Sequence, residues 1–207
     1  MADSQEQPQT PTLSRAAITN VAIEFIERRG IEKLSMRVLA SELGCGTMSL
    51  YSHVRNRDDL ISAIVQELLE RSGILDITNA AYPGWRERVT ASLLAYKALA
   101  AAYPAAFELL ALAPYEAAPV AGHLERLVGA LSREGLPLER AYEILGMLDA
   151  YATGFLIVWT KSQSRQAETE TLASPDLRRQ RDLDAFDRGL QTILAGIERV
   201  GLSSPAA

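Results

Sequence analysis

Apolar residues recur along this chain at intervals of three and four, and no segment shows the sustained two-residue alternation of a half-buried strand. The pattern predicts an all-α protein of about nine helices without an internal repeat. Ser14 stands as N-cap to a helix reaching Arg29, with Ile18, Val21, Ala22, Phe25 and Ile26 on one face and Gly30 as its stop. Ser35 caps a second helix carrying Val38, Leu39 and Leu43, which ends at Gly44. After only Cys45 and Gly46, a short third helix spans about Thr47 to His53, with Leu50 and Val54 turned to the core. Asn56, with Asp59 at the third helical position, starts a longer fourth helix to Glu70, striped by Leu60, Ile61, Ile64, Val65 and Leu68.

Beyond Gly73 the composition shifts. Tyr82-Pro83-Gly84 opens an Ala-rich helix from Trp85 to Ala102, and Pro104, Pro114 and Pro119 cut the next stretch into short helical pieces. Val120 to Arg133 turns Leu124, Leu127, Val128 and Leu131 inward and stops at Gly135. The most apolar helix follows, Leu138 to Ser162, and a final one covers Asp176 to Val200. The expected organisation is a disordered tail over 1–13, a head over 14–57 and a body over 58–201, closed by a second tail over 202–207. Within the body, 58–70 is the connecting helix and the polar, unpatterned 162–175 a mobile loop.

Composition narrows the classes. With 48% hydrophobic and 23% charged residues, the 207-residue chain has an ordinary globular balance rather than a disordered one. Its longest uninterrupted apolar run, Gly154 to Trp159, falls far short of the roughly 18 residues of a bilayer span, so no membrane role is expected. Met1 to Pro11 lacks the basic and apolar regions of a secretion signal, and a cytoplasmic protein is expected. A single cysteine, Cys45, excludes an intrachain disulfide and leaves a redox switch without a resolving partner. The net charge of −5 looks wrong for a nucleic-acid binder until it is divided. Between Ser14 and Arg57, seven bases (Arg15, Arg28, Arg29, Lys33, Arg37, Arg55, Arg57) face four acids, a local +3 that leaves −8 for the remainder. Extending the window to Glu70 erases the asymmetry.

Ser35 to His53 has the spacing of a helix-turn-helix, a capped helix, a glycine-containing turn and a short second helix suited to a major groove. Thr47 and Ser49 place small hydroxyls at its exposed start, and Met48 is an apolar group able to meet a thymine methyl. Tyr51 and His53 stand where a phenol and an imidazole can donate to phosphate. Arg57 lies in the first turn of the next helix and Arg37 near the start of the supporting one. The stretch Gly30 to Leu60, GIEKLSMRVLASELGCGTMSLYSHVRNRDDL, closely resembles the DNA-binding head of the tetracycline-repressor (TetR) family. The resemblance rests on Gly-x-x-x-Leu-Ser, Leu-Ala-x-x-Leu-Gly into the turn, Leu-Tyr-x-His, and a basic residue before an acidic start to helix four. It implies that Thr47, Met48 and Ser49 face bases or nearby backbone, and that Tyr51, His53 and Arg57 hold phosphates with Arg37 behind them. Residues Ala141 to Ser162 look like the eighth helix of the branch nearest tetracycline repressor, which packs against its dimer mate. The recognition helix begins Gly46-Thr47-Met48-Ser49 rather than Gln-Pro-Thr, so the resemblance does not carry over an operator sequence, and no residue transfers as a tetracycline–magnesium ligand.

The expected function is therefore a ligand-responsive repressor that binds palindromic double-stranded operator DNA as a homodimer and is released by a small-molecule effector. No metal and no cofactor are expected. A pocket is expected between the Trp85–Ala102 and Leu138–Ser162 helices, where Trp85, Tyr96, Phe107, Met147, Tyr151, Phe155 and Trp159 cluster; Tyr115 belongs to the same set of large side chains. These are too many for one wall, so most are core. Asp149 is either a dimer- or solvent-facing carboxylate or a buried acid that selects a cationic or polar ligand. His123 has no second histidine or acidic pair at ligand spacing. An enzyme lacks support, since there is no nucleophile–base set or glycine-rich phosphate loop among the motifs. The rival reading is a helical small-molecule-binding or adaptor protein without DNA-binding activity, against which Tyr51, His53, Arg55 and Arg57 argue.

Overall fold

A computed structural model of the chain describes residues 13–165, 176 and 179–200. Ten α-helices and one 3-10 turn lie among them, and no strand. The helices are α1 (Arg15–Arg29), α2 (Met36–Glu42), α3 (Thr47–Tyr51), α4 (Arg57–Arg71), α5 (Ile74–Asn79), α6 (Trp85–Ala102), α7 (Phe107–Ala111), α8 (Ala118–Arg133), α9 (Leu138–Arg165) and α10 (Leu183–Val200).

The head is built by local chemistry. Ser14 Oγ accepts the Ala17 amide at 3.1 Å, Ser35 Oγ the Val38 amide at 3.3 Å, and Asn56 Oδ1 the Asp59 amide at 2.8 Å. Each of these side chains satisfies one of the donors a helix start leaves unpaired. α2 leaves through Gly44, whose φ of +64° is the left-handed conformation that lets the Cys45 amide turn back to the Ala40 carbonyl at 3.0 Å. The turn aims α3 away from α2, while Leu50 and Val54 bury fully against Ile18, Ile26 and Leu39. α4 continues the same core through Leu60 and Ile64, then carries Leu68 and Leu69 into the body.

In the body, α8 and α9 pack against each other, α6 crosses both, and α10 lies along α9 and α6. Phe107, Leu131, Ile144, Leu148, Leu156, Phe186 and Leu190 form its fully enclosed centre. A buried ion pair staples this layer. Arg88 on α6 meets Glu134 at 2.5 Å and donates to the carbonyls of Ile77, Thr78 and Ala80, which end α5.

Several boundaries differ from the sequence expectation. α5 has no counterpart in the sequence expectation, because six residues are too few to display a helical period. α9 runs past Ser162 to Arg165, shortening the expected loop, whose remainder at 166–175 lies outside the described residues, as do the tails at 1–12 and 201–207. The expected last helix does not run unbroken from Asp176. It restarts at Leu183, because Asp182 Oδ1 accepts the Ala185 amide at 2.7 Å and so caps a new helix. Leu138–Gln163 is also long and apolar enough to cross a bilayer by length and composition, although its apolar residues are not contiguous. Only 28% of its most apolar stretch is buried within one chain.

Candidate nucleic-acid interface and body cavity

α3 presents one face to the core and the other to solvent. Met48 is 82% exposed, Tyr51 43%, and Ser49 and His53 are also exposed, with Thr47 half-buried beside them. Arg37 on α2 and Arg57 at the first position of α4 are exposed too. Among the described residues, the side chains of Arg37, Tyr51, His53 and Arg57 make no hydrogen bond or ion pair. The neighbouring arginines are tied down. Arg15 holds Asp59 through two hydrogen bonds, of 2.8 and 3.0 Å, and also donates to the His53 carbonyl at 3.1 Å. Asp59 accepts the Arg55 amide at 2.9 Å as well. These donors hold the Asp59 carboxyl well below the usual carboxylate range, with the Arg15 hydrogen bonds the largest influence. One ionised aspartate thus fixes the turn between α3 and α4. Sequence reasoning counted Arg15 only as a charge; a contact 44 residues apart leaves no local signal.

Glu27 and Arg71 also join head to body. Glu27 of α1 accepts the amides of Ala105 and Ala106 at 3.2 and 2.7 Å, at the entrance to α7. Arg71 of α4 bonds Asn20 of α1 and donates to Tyr103 at 3.1 Å.

Behind this junction lies a cavity of about 80 Å³, lined by α4, α5, α6, α7, α8 and α9 and the segment between α7 and α8. Its wall is mainly leucine, valine, isoleucine and alanine, interrupted by Ser92, Tyr96, Tyr115, His123 and Asp149. Tyr96 meets Thr153 Oγ1 at 3.3 Å, and burial raises its phenol pKa. Tyr115 donates to Asp149 at 2.5 Å, which pushes its own pKa up to about 12. Burial drives His123 down to about 4, with Arg126 adding to the effect. Ser92 Oγ and His123 Nδ1 are buried without a hydrogen-bond partner.

Of the eight side chains expected to line a pocket, Tyr96 and Asp149 meet at this cavity. Phe107 is fully buried behind Tyr96, with ring centroids 4.7 Å apart, and Trp85 is buried in the core at the start of α6. Tyr151 and Phe155 pack on Phe186 of α10 at 5.4 and 5.5 Å, on the side away from the cavity. Met147 is 47% exposed on the uncovered face of α9, and Trp159 is half-buried without touching the cavity. The aromatic cluster is thus packing between α9 and α10. Sequence reasoning missed Ser92 and set His123 aside on metal-ligand spacing, whereas both are marked by burial without a partner.

Residues 18–64 match the family described as bacterial regulatory proteins, tetR family. The chain is 25% identical to an HTH-type transcriptional regulator of Saccharopolyspora erythraea, over 90% of this chain and 85% of that protein. It is 27% identical to the HTH-type transcriptional repressor DrrR1 of Streptomyces coeruleorubidus, over 77% of this chain but 57% of the relative's length. In three dimensions it follows a TetR variant from Acinetobacter baumannii AYE in complex with minocycline, with a TM-score of 0.72 and 24% identity over 93% of this chain and all of the other. That identity speaks for the fold alone. Residues 18–64 thus carry the helix-turn-helix domain of the tetR family of bacterial regulatory proteins, on an all-helical body of the same architecture as the Acinetobacter structure.

Proposed function

We propose that this protein is a ligand-responsive transcriptional repressor that binds a palindromic operator as a homodimer and releases it when a small molecule enters the body. The observation that carries the reading is the division of labour among the head's cations. Arg15, Arg28 and Arg55 are spent on Asp59 and Glu42, while Arg37, Arg57, Tyr51 and His53 stand exposed around α3 without a partner among the described residues. Exposed donors around a helix of groove-entering size suit phosphate, and Thr47, Met48 and Ser49 suit base edges. The name of the Streptomyces relative supports repression as the sign of regulation. Acting on genomic DNA would place the protein in the cytoplasm.

Dimerisation rests on α9. Met147, Ala150, Gly154 and Val158 lie along one exposed side of this apolar helix, which the described residues leave without cover. Pairing α9 and α10 with their symmetry mates would bury that side and set two α3 helices about one DNA turn apart, roughly 34–36 Å. The minocycline bound by the structural neighbour supports a small-molecule effector, but not tetracycline itself. Among the described residues no group of three His, Cys, Asp or Glu side chains stands ready for a metal ion.

Fluorescence anisotropy on DNA from upstream of the protein's own gene, titrated with salt, tests the DNA reading. Nanomolar binding that weakens steeply with salt and prefers a palindromic segment is expected. Binding that is absent at low salt overturns it in favour of an adaptor or ligand-binding protein.

A further inference from the structure

The cavity holds two polar atoms that no group among the described residues satisfies. Ser92 on α6 is 5% exposed and His123 on α8 is 6% exposed, and both line the same space on different helices. Native interiors rarely leave such atoms unpaired, and two converging on one cavity point to a guest that supplies their partners. His123 is held neutral by burial, so it offers one donor and one acceptor, and the Ser92 hydroxyl can do either.

A second polar station lies at the rim. Tyr115, Leu124, Leu145 and Asp149 line both the inner cavity and an outer groove of about 190 Å³ between α8 and α9. The Tyr115–Asp149 hydrogen bond therefore stands in the partition between the two spaces. Tyr115 is 54% exposed and sits between α7 and α8, so it can swing without disturbing the core. Breaking that one bond would join the spaces, approaching the lower end of the ~300–1,000 Å³ usual for ligand pockets. The charges are one-sided. Among the described residues, Asp149 is the one carboxyl on the inner wall, Glu125 joins it on the outer one, and no lysine or arginine lines either. A carboxylate or phosphate at Asp149 would meet like charge, with Arg126 acting from the His123 side rather than lining the wall; an ammonium there would meet opposite charge in an apolar surround.

We propose that this two-part cavity binds a cationic amphiphile: an apolar body with a neutral hydroxyl or carbonyl between Ser92 and His123 and a protonated amine at Asp149, with Tyr115 as the door. This assigns ligand chemistry to the effector site of the proposed repressor, and it depends on that reading only for the consequence at DNA. In the bound state the amine replaces the Tyr115 hydroxyl on the Asp149 carboxylate.

Three probes share one body: 4-(3-aminopropyl)phenol, the neutral 4-(3-hydroxypropyl)phenol and the anionic 3-(4-hydroxyphenyl)propanoic acid. Calorimetry on the full-length protein should rank the amine at least tenfold above the alcohol and the acid weakest. Asp149→Asn should bring the amine within about threefold of the alcohol. Ser92→Ala and His123→Phe should weaken the phenolic amine but leave 3-phenylpropylamine, which lacks the hydroxyl, unchanged. Tyr115→Phe should bind the amine more tightly and faster. Thermal melts of every variant separate lost binding from lost folding, and the surface-lying Tyr115→Phe gives a test that survives if core variants unfold. Equal or tighter binding of the acid, an amine preference that survives in Asp149→Asn, or no binding by any probe at millimolar concentration overturns the proposal. Amine binding that leaves operator affinity unchanged upholds this site and instead counts against the effector reading.

Discussion

The Glu27 carboxylate, on the first helix of the head, accepts the amide of Ala106 at 2.7 Å where α7 begins in the body. α7 contributes Leu110 and Ala111 to the cavity wall, so a single side chain ties the DNA-binding unit to an element that touches any occupant. Burial raises the Glu27 pKa and the two amides pull it back. Allostery requires a ligand to distinguish two arrangements of the head, and a cap that holds in only one of them supplies such a difference. Glu27→Ala is expected to cost about 1 kcal/mol in urea unfolding, the usual worth of a helix cap. It should leave operator affinity without ligand within about threefold while shrinking the ligand-induced loss. Full ligand response in this variant, measured by operator anisotropy, would remove Glu27 from the coupling.

The exposed donors of the head make a separate prediction. Tyr51→Phe, His53→Ala and Arg57→Ala remove groups with no intrachain hydrogen bond, so unfolding free energies should stay within about 0.5 kcal/mol of the parent. Operator binding should weaken in each, and Arg57→Ala should also flatten the logarithmic salt dependence by about one unit of slope. Substitutions at Thr47 and Ser49 should change which operator is preferred rather than the salt slope. Arg15→Ala differs in kind, because it frees Asp59 and the α3–α4 turn; stability and DNA affinity should fall together. Unaltered DNA affinity in all three phosphate variants would sink the assignment of α3.

The head was more legible in the sequence than the cavity, for a physical reason. Its features are local: Ser14, Ser35 and Asn56 cap the helices they precede, and Gly44 turns the chain within four residues. The cavity is assembled from six helices, and its diagnostic atoms are recognised by what they lack. No spacing announces that Ser92 and His123 face each other's helix across an apolar space. The packing partners of the aromatic residues are equally non-local. Tyr151 donates to the Phe186 carbonyl at 2.8 Å across Gly189, where any Cβ would collide with the phenol, and that close crossing of α9 and α10 depends on a residue 38 positions away. Asp149 was the exception, because an acid on so apolar a helix is conspicuous even in one dimension.

Arg88 and Glu134 carry the body's largest expected single-site effect. The guanidinium is 4% exposed and serves a carboxylate and three carbonyls at once. Arg88→Met leaves Glu134 charged and half-hidden with those carbonyls unpaired, a loss of about 3–5 kcal/mol. For a chain of this size that corresponds to a melting shift of roughly 2–4 °C per kcal/mol. A melt within 2 °C of the parent, by calorimetry, would show that water replaces the guanidinium without cost.

Cover for α9 is tested by charge. Gly154→Glu and Ala150→Glu each place a carboxylate on the uncovered side of a helix whose opposite side is core, so the monomer should still fold. Two copies would bring like charges together in an apolar seam, and sedimentation at micromolar concentration should show monomers where the parent is a dimer. Operator affinity should fall with the dimer, since one head reads only half a palindrome. A parent that sediments as a monomer refutes this use of α9 directly.

His123 makes acid the final probe. Its ordinary pKa of 6.5 applies in the unfolded chain, while burial holds the folded value near 4. Between those values the unfolded state binds the proton and the folded state refuses it, so stability falls as pH drops from about 6.5 to about 4. The full gap corresponds to about 3 kcal/mol at 1.36 kcal/mol per unit. Asp59 does not confuse the window. Its carboxyl is depressed by Arg15, so its contribution is intact above its ordinary 3.8 and is lost only on further acidification. Urea midpoints of the parent should therefore decline between pH 6.5 and 4.5, and His123→Gln should flatten that decline while removing the titrating group. Occupancy of the cavity by a group that accepts from His123 would stabilise the protonated ring, raise its folded pKa toward 6.5 and so shrink the decline. Parallel declines in the parent and His123→Gln would assign the acid sensitivity to other groups and leave His123 without the buried, neutral character on which its role in the cavity depends.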